Sequence, residues 1–331
     1  MAKAMDTKKN KERTIFDLVY SGRAFDSVTP TEEPDFTVKN ADGEFGVEIT
    51  EFYSSQSEAR IKNIPEYFQE ILEGKKYRHK DDIVPLDVAE ITVQPGDNRR
   101  PSFNVKGIAR RLPSIDEYVK KIAGLIEHKN KRFQTYISGL HHINLVIFDN
   151  EPRLVGVPTD KFHPFFFHSE LENTLMRAEF REVYLVTMLG EYNATKTVYI
   201  PLKMFFLVAE MYFLNYVLTK EYPDTPMTPL LCAEYLLWRG AKDIYVKDAS
   251  DGFEVVYGNS GIFISNGERV NIRDYTDFAL PADFTAITPS QVSRFFDAAF
   301  LRLFEKYKSS CVFSGAFCFD VSGSNALASD K

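Results

Sequence analysis

Residues 31–53 read TEEPDFTVKNADGEFGVEITEFY, and their alternation decides the fold. Phe36 and Val38 point to one face of a strand, while Asp35, Thr37 and Lys39 point to the other. Asn40-Ala41-Asp42-Gly43 is a turn cluster, with Asp-Gly the signal for a tight hairpin. On the returning strand Phe45, Val47 and Ile49 share the apolar face, and Glu48 and Thr50 share the polar one. Pro34 suits a strand start. The pattern brings Asp35 and Glu48 to one sheet edge with Thr50 beside them. A wet amphipathic hairpin shows the same alternation. Clustered carboxylates repel, however, and a hard divalent cation is the usual reason to hold them together.

Outward from the hairpin, Ile15, Leu18, Val19, Gly22 and Phe25 form a helical stripe, so a helix over 12–25 precedes it. Residues 57–72 read as the next helix, with Ile61, Ile64, Phe68 and Ile71 inside. Residues 88–93 read as a strand and 94–113 as a basic, turn-rich loop. Ser114 and Glu117 form a capping box for a helix to about Lys131. The dense apolar run 143–148 is a buried strand, and 182–188 and 197–202 are further strands. A buried helix over 204–220 follows; the apolar run 204–218 is short for a bilayer span. This alternation predicts an α/β fold, a mixed central sheet flanked by helices, over residues 1–222. The proline-rich segment YPDTPMTPLL then marks a break. Strands at 244–246, 253–257, 261–265 and 269–273, with turns at Asp251-Gly252 and Asn266-Gly267, and a helix started by Thr288-Pro289, predict a smaller C-terminal α+β subdomain over 223–318. Residues 319–331 read as a loose tail.

Composition sets the outer limits. The chain has 331 residues, 44% of them hydrophobic, with 28 Phe and 17 Tyr, which is the composition of a globular protein rather than a disordered one. Net charge is −7. Residues 1–135 are balanced, with 23 basic and 23 acidic side chains, whereas the rest hold 17 and 24. The three cysteines, Cys232, Cys311 and Cys318, lack metal-site spacing, and no secretion signal precedes the chain, so a reducing cytoplasm is expected. No glycine-rich phosphate loop, HExxH zinc motif or nucleophile elbow is present. The histidine pairs His141-His142 and His163/His168 read as structural.

Glu33-Pro34-Asp35-Phe36 followed by Gly46-Val47-Glu48-Ile49-Thr50 resembles the PD-(D/E)xK nuclease superfamily, the restriction-endonuclease-like fold. The likeness is to bacterial and phage members reading E-P-D-F and then G-(I/V)-E-(I/V)-T. It is sharpest over residues 10–60 and extends as an order of elements to about residue 220. The resemblance implies a metal-dependent phosphodiesterase acting on nucleic acid, most of all DNA, in bacterial or phage defence, repair or mobile-element maintenance. Asp35 matches the motif's Asp, Glu48 its second acid, and Glu12 the extra Glu of the first helix. Thr50 stands where the family has Lys.

In that reading Asp35 and Glu48 hold Mg²⁺ or Mn²⁺, with Glu12 and the Ile49 carbonyl as further ligands. Thr50 cannot supply a Lys charge. Lys39, on the same face of the neighbouring strand, is the candidate replacement, and Lys62 is second. Lys75, Lys76, Arg78, Arg99, Arg100, Arg110 and Arg111 are candidate phosphate contacts, as are the clusters at Lys8–Arg13 and Lys129–Arg132. The acidic second half would then serve stability, a homodimer or a protein partner, with no membrane involved. Two rival readings stand beside this one: a degenerate nuclease fold that binds nucleic acid or protein without cutting, and an interaction protein that docks through its Phe-rich second half.

Overall fold

Alternating burial along residues 36–52 builds the hairpin of β2 (Phe36–Asn40) and β3 (Gly43–Phe52). Phe36 opposes Val47 and Val38 opposes Phe45. The structure is a computed structural model. It describes residues 2–310 and 319–320, apart from positions 42, 75–76, 84–85, 95–100, 110–112, 137, 158–164, 166–167, 192–193, 259, 266–269, 275–282 and 292–294. The turns expected at Asp42 and at Asn266-Gly267 therefore fall wholly or partly outside the described residues, as do His163, Cys311, Cys318 and most of the C-terminal tail.

The chain forms two compact units, residues 53–118 and the remainder. In the larger unit a mixed sheet runs in the order β1-β2-β3-β6-β7-β8-β14. Its other strands are β1 (Ser27–Pro30), β6 (Ile143–Asp149), β7 (Val183–Glu191), β8 (Ala194–Pro201) and β14 (Phe319–Asp320). The β3–β6 and β6–β7 pairs are parallel and the others antiparallel. One face packs on helix α1 (Ala2–Tyr20), whose Ile15, Phe16, Val19 and Tyr20 form a core with Phe36, Val38, Phe45, Val47, Ile49, Val146 and Tyr184. Residues of opposite parity, Leu145, Ile147, Val183 and Leu185, are equally buried. A sheet buried on both faces explains the continuous apolar run of β6.

A second core joins a five-stranded antiparallel sheet to three helices. Its strand order is β12-β11-β10-β9-β13, from β9 (Ile244–Ala249), β10 (Gly252–Tyr257), β11 (Ser260–Ser265), β12 (Val270–Asp274) and β13 (Thr285–Ile287). The expected strand near 269–273 thus sits in this sheet and not in the main one. The helices are α6 (Leu202–Glu221), α7 (Pro229–Trp238) and α8 (Ala298–Ser310); the first follows α4 (Ile115–Lys131) and α5 (Ser169–Arg177) in the chain. Helix α6 is long and apolar enough to cross a membrane, yet 78% of its apolar window is buried inside the protein. The boundary expected at 222/223 is not where the chain divides, because residues 223–310 belong to the larger unit. The proline-rich segment there leads into α7, with Thr228 capping and Pro229 at its first position.

The smaller unit differs from expectation at two places. The helix read over 57–72 is two, α2 (Gln56–Asn63) and α3 (Tyr67–Leu72), parted by Pro65 and by Glu66 at φ +65°. The loop read over 94–113 contains a strand, β5 (Phe103–Ala109), paired antiparallel with β4 (Asp87–Val93). The capping box at Ser114 is present: the Ser114 amide donates to Glu117, and the Glu117 amide donates to the Ser114 hydroxyl. Elsewhere α1 ends at Tyr20 rather than Phe25, and Pro289 opens only a short 3₁₀ turn. The last helix starts at Ala298, where Asp297 accepts from the amides of Ala299 and Phe300.

Candidate carboxylate site

Asp35 stands one residue ahead of β2, in the register position facing Glu48, since Phe36 opposes Val47. Its Oδ2 accepts the Ile49 amide at 2.8 Å, which ties it to the strand carrying Glu48. Gly46 makes the close approach feasible: a methyl group there would lie 2.7 Å from Pro34 Cγ and 3.0 Å from Leu140 Cδ1. Glu12 arrives from α1, one turn before Ile15 and Phe16, so the helix's buried stripe ends in a carboxylate. Glu12, Asp35 and Glu48 are each more than nine-tenths buried. Thr50 follows on the Glu48 face and is half-buried.

The electrostatics follow from that burial. Desolvation, then the Glu48 charge and more weakly Glu12, raise the Asp35 carboxyl to about 7, against the lowering effect of the Ile49 amide and Lys9. One oxygen each of Glu12 and Glu48, Oε2 in both, is buried without a hydrogen-bond partner, although Lys9 Nζ lies 3.5 Å from that of Glu12. The other oxygens meet lysines: Lys8 Nζ lies 3.2 Å from Glu12 Oε1, and Lys129 Nζ donates to Glu48 Oε1 at 2.7 Å. Lys9 Nζ is 3.9 Å from Asp35 Oδ1 and donates to the Thr31 carbonyl. Burial, followed by the Glu48 charge, pushes the Tyr136 hydroxyl up. Among the described residues no three Asp, Glu, His or Cys side chains are gathered as a ready metal-ligand set. The donor types are nonetheless those of a hard-cation site: carboxylates, two with a buried oxygen that accepts no hydrogen bond, beside the backbone of Ile49.

Comparison with known proteins adds no assignment: no family model, curated protein or solved structure matches this chain.

One sequence expectation is corrected here. Lys39 is exposed, opposite Glu44 in the hairpin, and the ammonium on Glu48 comes from Lys129. Lys62 belongs to the other unit. The signal for Lys129 was in α4, where Ile122, Ile126 and Lys129 recur on one face and only the last is charged. The described basic residues are largely paired. Arg78 forms a bidentate pair with Glu70 at 2.8 Å; Lys11 meets Glu51, Arg13 meets Asp17 and Arg132 meets Glu33. Lys75, Lys76, Arg99, Arg100, Arg110 and Arg111 lie outside the described residues.

Proposed function

We propose that the chain is a metal-dependent phosphodiesterase acting on nucleic acid, with DNA as the first substrate to test. The observation that carries this reading is the burial of Glu12, Asp35 and Glu48 around one strand pair, with Glu48 Oε2 lacking a hydrogen-bond partner and Glu12 Oε2 met only by Lys9 at 3.5 Å. Burying like charges costs stability unless something cationic offsets it, and of the three lysines that approach this cluster Lys8 is largely exposed and Lys9 comes no nearer than 3.5 Å. Asp35, Glu48 and Glu12, with the Ile49 carbonyl, would hold Mg²⁺ or Mn²⁺. Bound there, such an ion supplies polarisation of a phosphate and a water of lowered pKa. Lys129 orients Glu48 and brings a positive charge to the face of Thr50, the role first given to Lys39. The Ile49 amide fixes the direction of the Asp35 carboxyl.

One observation favours a second reading. The Lys129 ammonium on Glu48, with Lys8 on Glu12 and Lys9 near Asp35, balances charge as a degenerate site would, leaving a nuclease-fold protein that binds nucleic acid or protein without cutting. Incubation with plasmid, linear duplex and single strands across Mg²⁺ and Mn²⁺ separates the two. The catalytic reading expects cleavage that Glu48→Gln abolishes. No cleavage and no Mn²⁺ binding by calorimetry would establish the degenerate reading, and a gel shift would then tell nucleic acid from a protein partner. Cleavage undiminished in Glu48→Gln would place the hydrolytic centre elsewhere.

A further inference from the structure

Apart from the carboxylates, the larger unit contains a cavity of about 570 Å³, within the range that holds small-molecule ligands. Arg181, Lys203, Lys242 and His142 line it, together with the aromatic rings of Phe133 and Tyr245. Two observations on these residues point to an anion, and a third concerns the shape of the wall.

The first concerns His142. Its Nδ1 lies 3.0 Å from Arg181 Nη1, and a guanidinium can only donate, so Nδ1 accepts and the neutral ring carries its proton on Nε2. That Nε2 is buried with no hydrogen-bond partner. Burial, then the Arg181 charge, drop the imidazole to about 2, so the neutral ring with its unmatched donor persists at every physiological pH. The second concerns Lys203, which is 3% exposed. Its ammonium donates to the carbonyls of Ala178 and Phe180 and lies 5.2 Å from the Tyr257 ring centre. No carboxylate among the described residues is in direct ion-pair contact with it; the buried Glu182, and more weakly Glu179 and Asp243, act on it through space. Burial lowers it to about 8. The third is the shape of the wall. Gly258, at φ +64°, lets the Arg181 carbonyl approach so closely that no Cβ would fit, and Asp243 beside it holds φ +55° without being glycine. Strained backbone of this kind is kept where surroundings over-determine it, often at ligand clamps. Glu179, also in the wall, is already matched by Lys242 at 2.7 Å.

We propose that this cavity is a second site, which binds a small aromatic phosphate of the nucleoside monophosphate class. The phosphoryl group answers the Arg181 guanidinium, the Lys203 ammonium and the His142 Nε2–H, and the planar base lies among Phe133 and Tyr245. The assignment is independent of the carboxylate site. The full chain is titrated calorimetrically with AMP, GMP, CMP and UMP, with inorganic phosphate and adenosine as controls. At least one nucleotide is expected to bind, with both controls at least tenfold weaker. Lys203→Met and His142→Phe, the latter keeping the stack on Phe45, are each expected to weaken that nucleotide at least tenfold. The exposed variant Lys242→Ala serves as a third arm should either buried change fail to fold, with a loss of several-fold expected. Glu48→Gln is expected to leave nucleotide affinity unchanged, which keeps this outcome separate from the nuclease test. Absence of binding to all four nucleotides at millimolar concentration overturns the site. So does binding that survives these substitutions, and inorganic phosphate binding as tightly as the nucleotides overturns the aromatic class.

Discussion

Asp35 is where burial and charge oppose each other most directly. Its carboxyl stands near 7 in the folded chain, mainly through burial and the Glu48 charge, against about 4 when exposed. The folded state therefore holds this proton more tightly than the unfolded one. Its contribution to stability is full below about pH 4 and is lost as pH rises to about 7, by up to about 1.4 kcal/mol per pH unit. Asp35→Asn removes that dependence, so melting curves from pH 4 to 8.5 should show the variant gaining on wild type across this window and holding its lead above it. A lead that does not grow with pH would contradict the placement of this group. Glu182, raised to about 7 mainly by burial, acts in the same sense in both proteins and drops out of the difference. Lys129→Met leaves the buried Glu48 charge unanswered and should cost about 3–5 kcal/mol at pH 8 in chemical denaturation. Lys39→Ala, on the exposed face of the hairpin, should change stability by less than about 0.5 kcal/mol. The sequence was legible here as far as period two carries: alternation alone placed Asp35, Glu48 and Thr50. Lys129 lies 81 positions from Glu48, and no local period links a helix to the strand it reaches.

At the scale of elements, Asp82 organises the smaller unit. Its carboxylate accepts Ser57 Oγ and the Tyr67 hydroxyl at 2.6 Å each and the Arg60 Nε at 3.1 Å, which joins α2 and α3 to the turn at 80–82. Burial by itself would raise this acid; the bonds from Arg60, Ser57 and Tyr67 outweigh it and hold the carboxyl at about 2. The stability it confers is present above about pH 4 and is lost as pH falls toward 2. Asp82→Ala strips the partner from three donors and should destabilise this unit by about 3–5 kcal/mol. Hydrogen exchange is the measurement: amides within 53–118 should speed up while those of β6 stay protected, and uniform acceleration of both would mean the units are not separable. These elements were also where sequence reading lost its grip. Pro65 was overridden by an apolar stripe that continued on either side of it. The strand β5 was hidden by flanking basic and turn residues, because its alternation, Phe103, Val105 and Gly107 against Asn104 and Lys106, is short and largely exposed.

For the whole molecule, the second core is locked by buried charge. Lys308 on α8 reaches Glu172 on α5 and Glu210 on α6, and Arg239, just after α7, meets both acids at 3.2 and 3.1 Å. Two acids and two bases balance, and four helices converge on them. Lys308→Met should cost about 3–5 kcal/mol, because Arg239 alone is left against two buried carboxylates. Truncation before Ala298 should be worse, since it also removes Phe300 and Phe304 from the core; a cooperative thermal transition retained in the truncated chain would refute this. Such a lock is invisible in sequence, where its members are scattered over 137 positions and each reads as an ordinary surface charge. The insertion of residues 53–118 in the chain between β3 and β6 has a kinetic meaning as well. Strand β3 must find β6 across nearly a hundred residues, and long-range parallel pairing is slow to nucleate. A segment that folds first shortens the chain to be closed, and although each halving is worth only about 0.6 kcal/mol in closure entropy, it also removes wrong partners from the search. Refolding of Asp82→Ala should then be slowed in the step that brings Glu48 to Lys129, making an aspartate in one unit the pacemaker for assembly of the other.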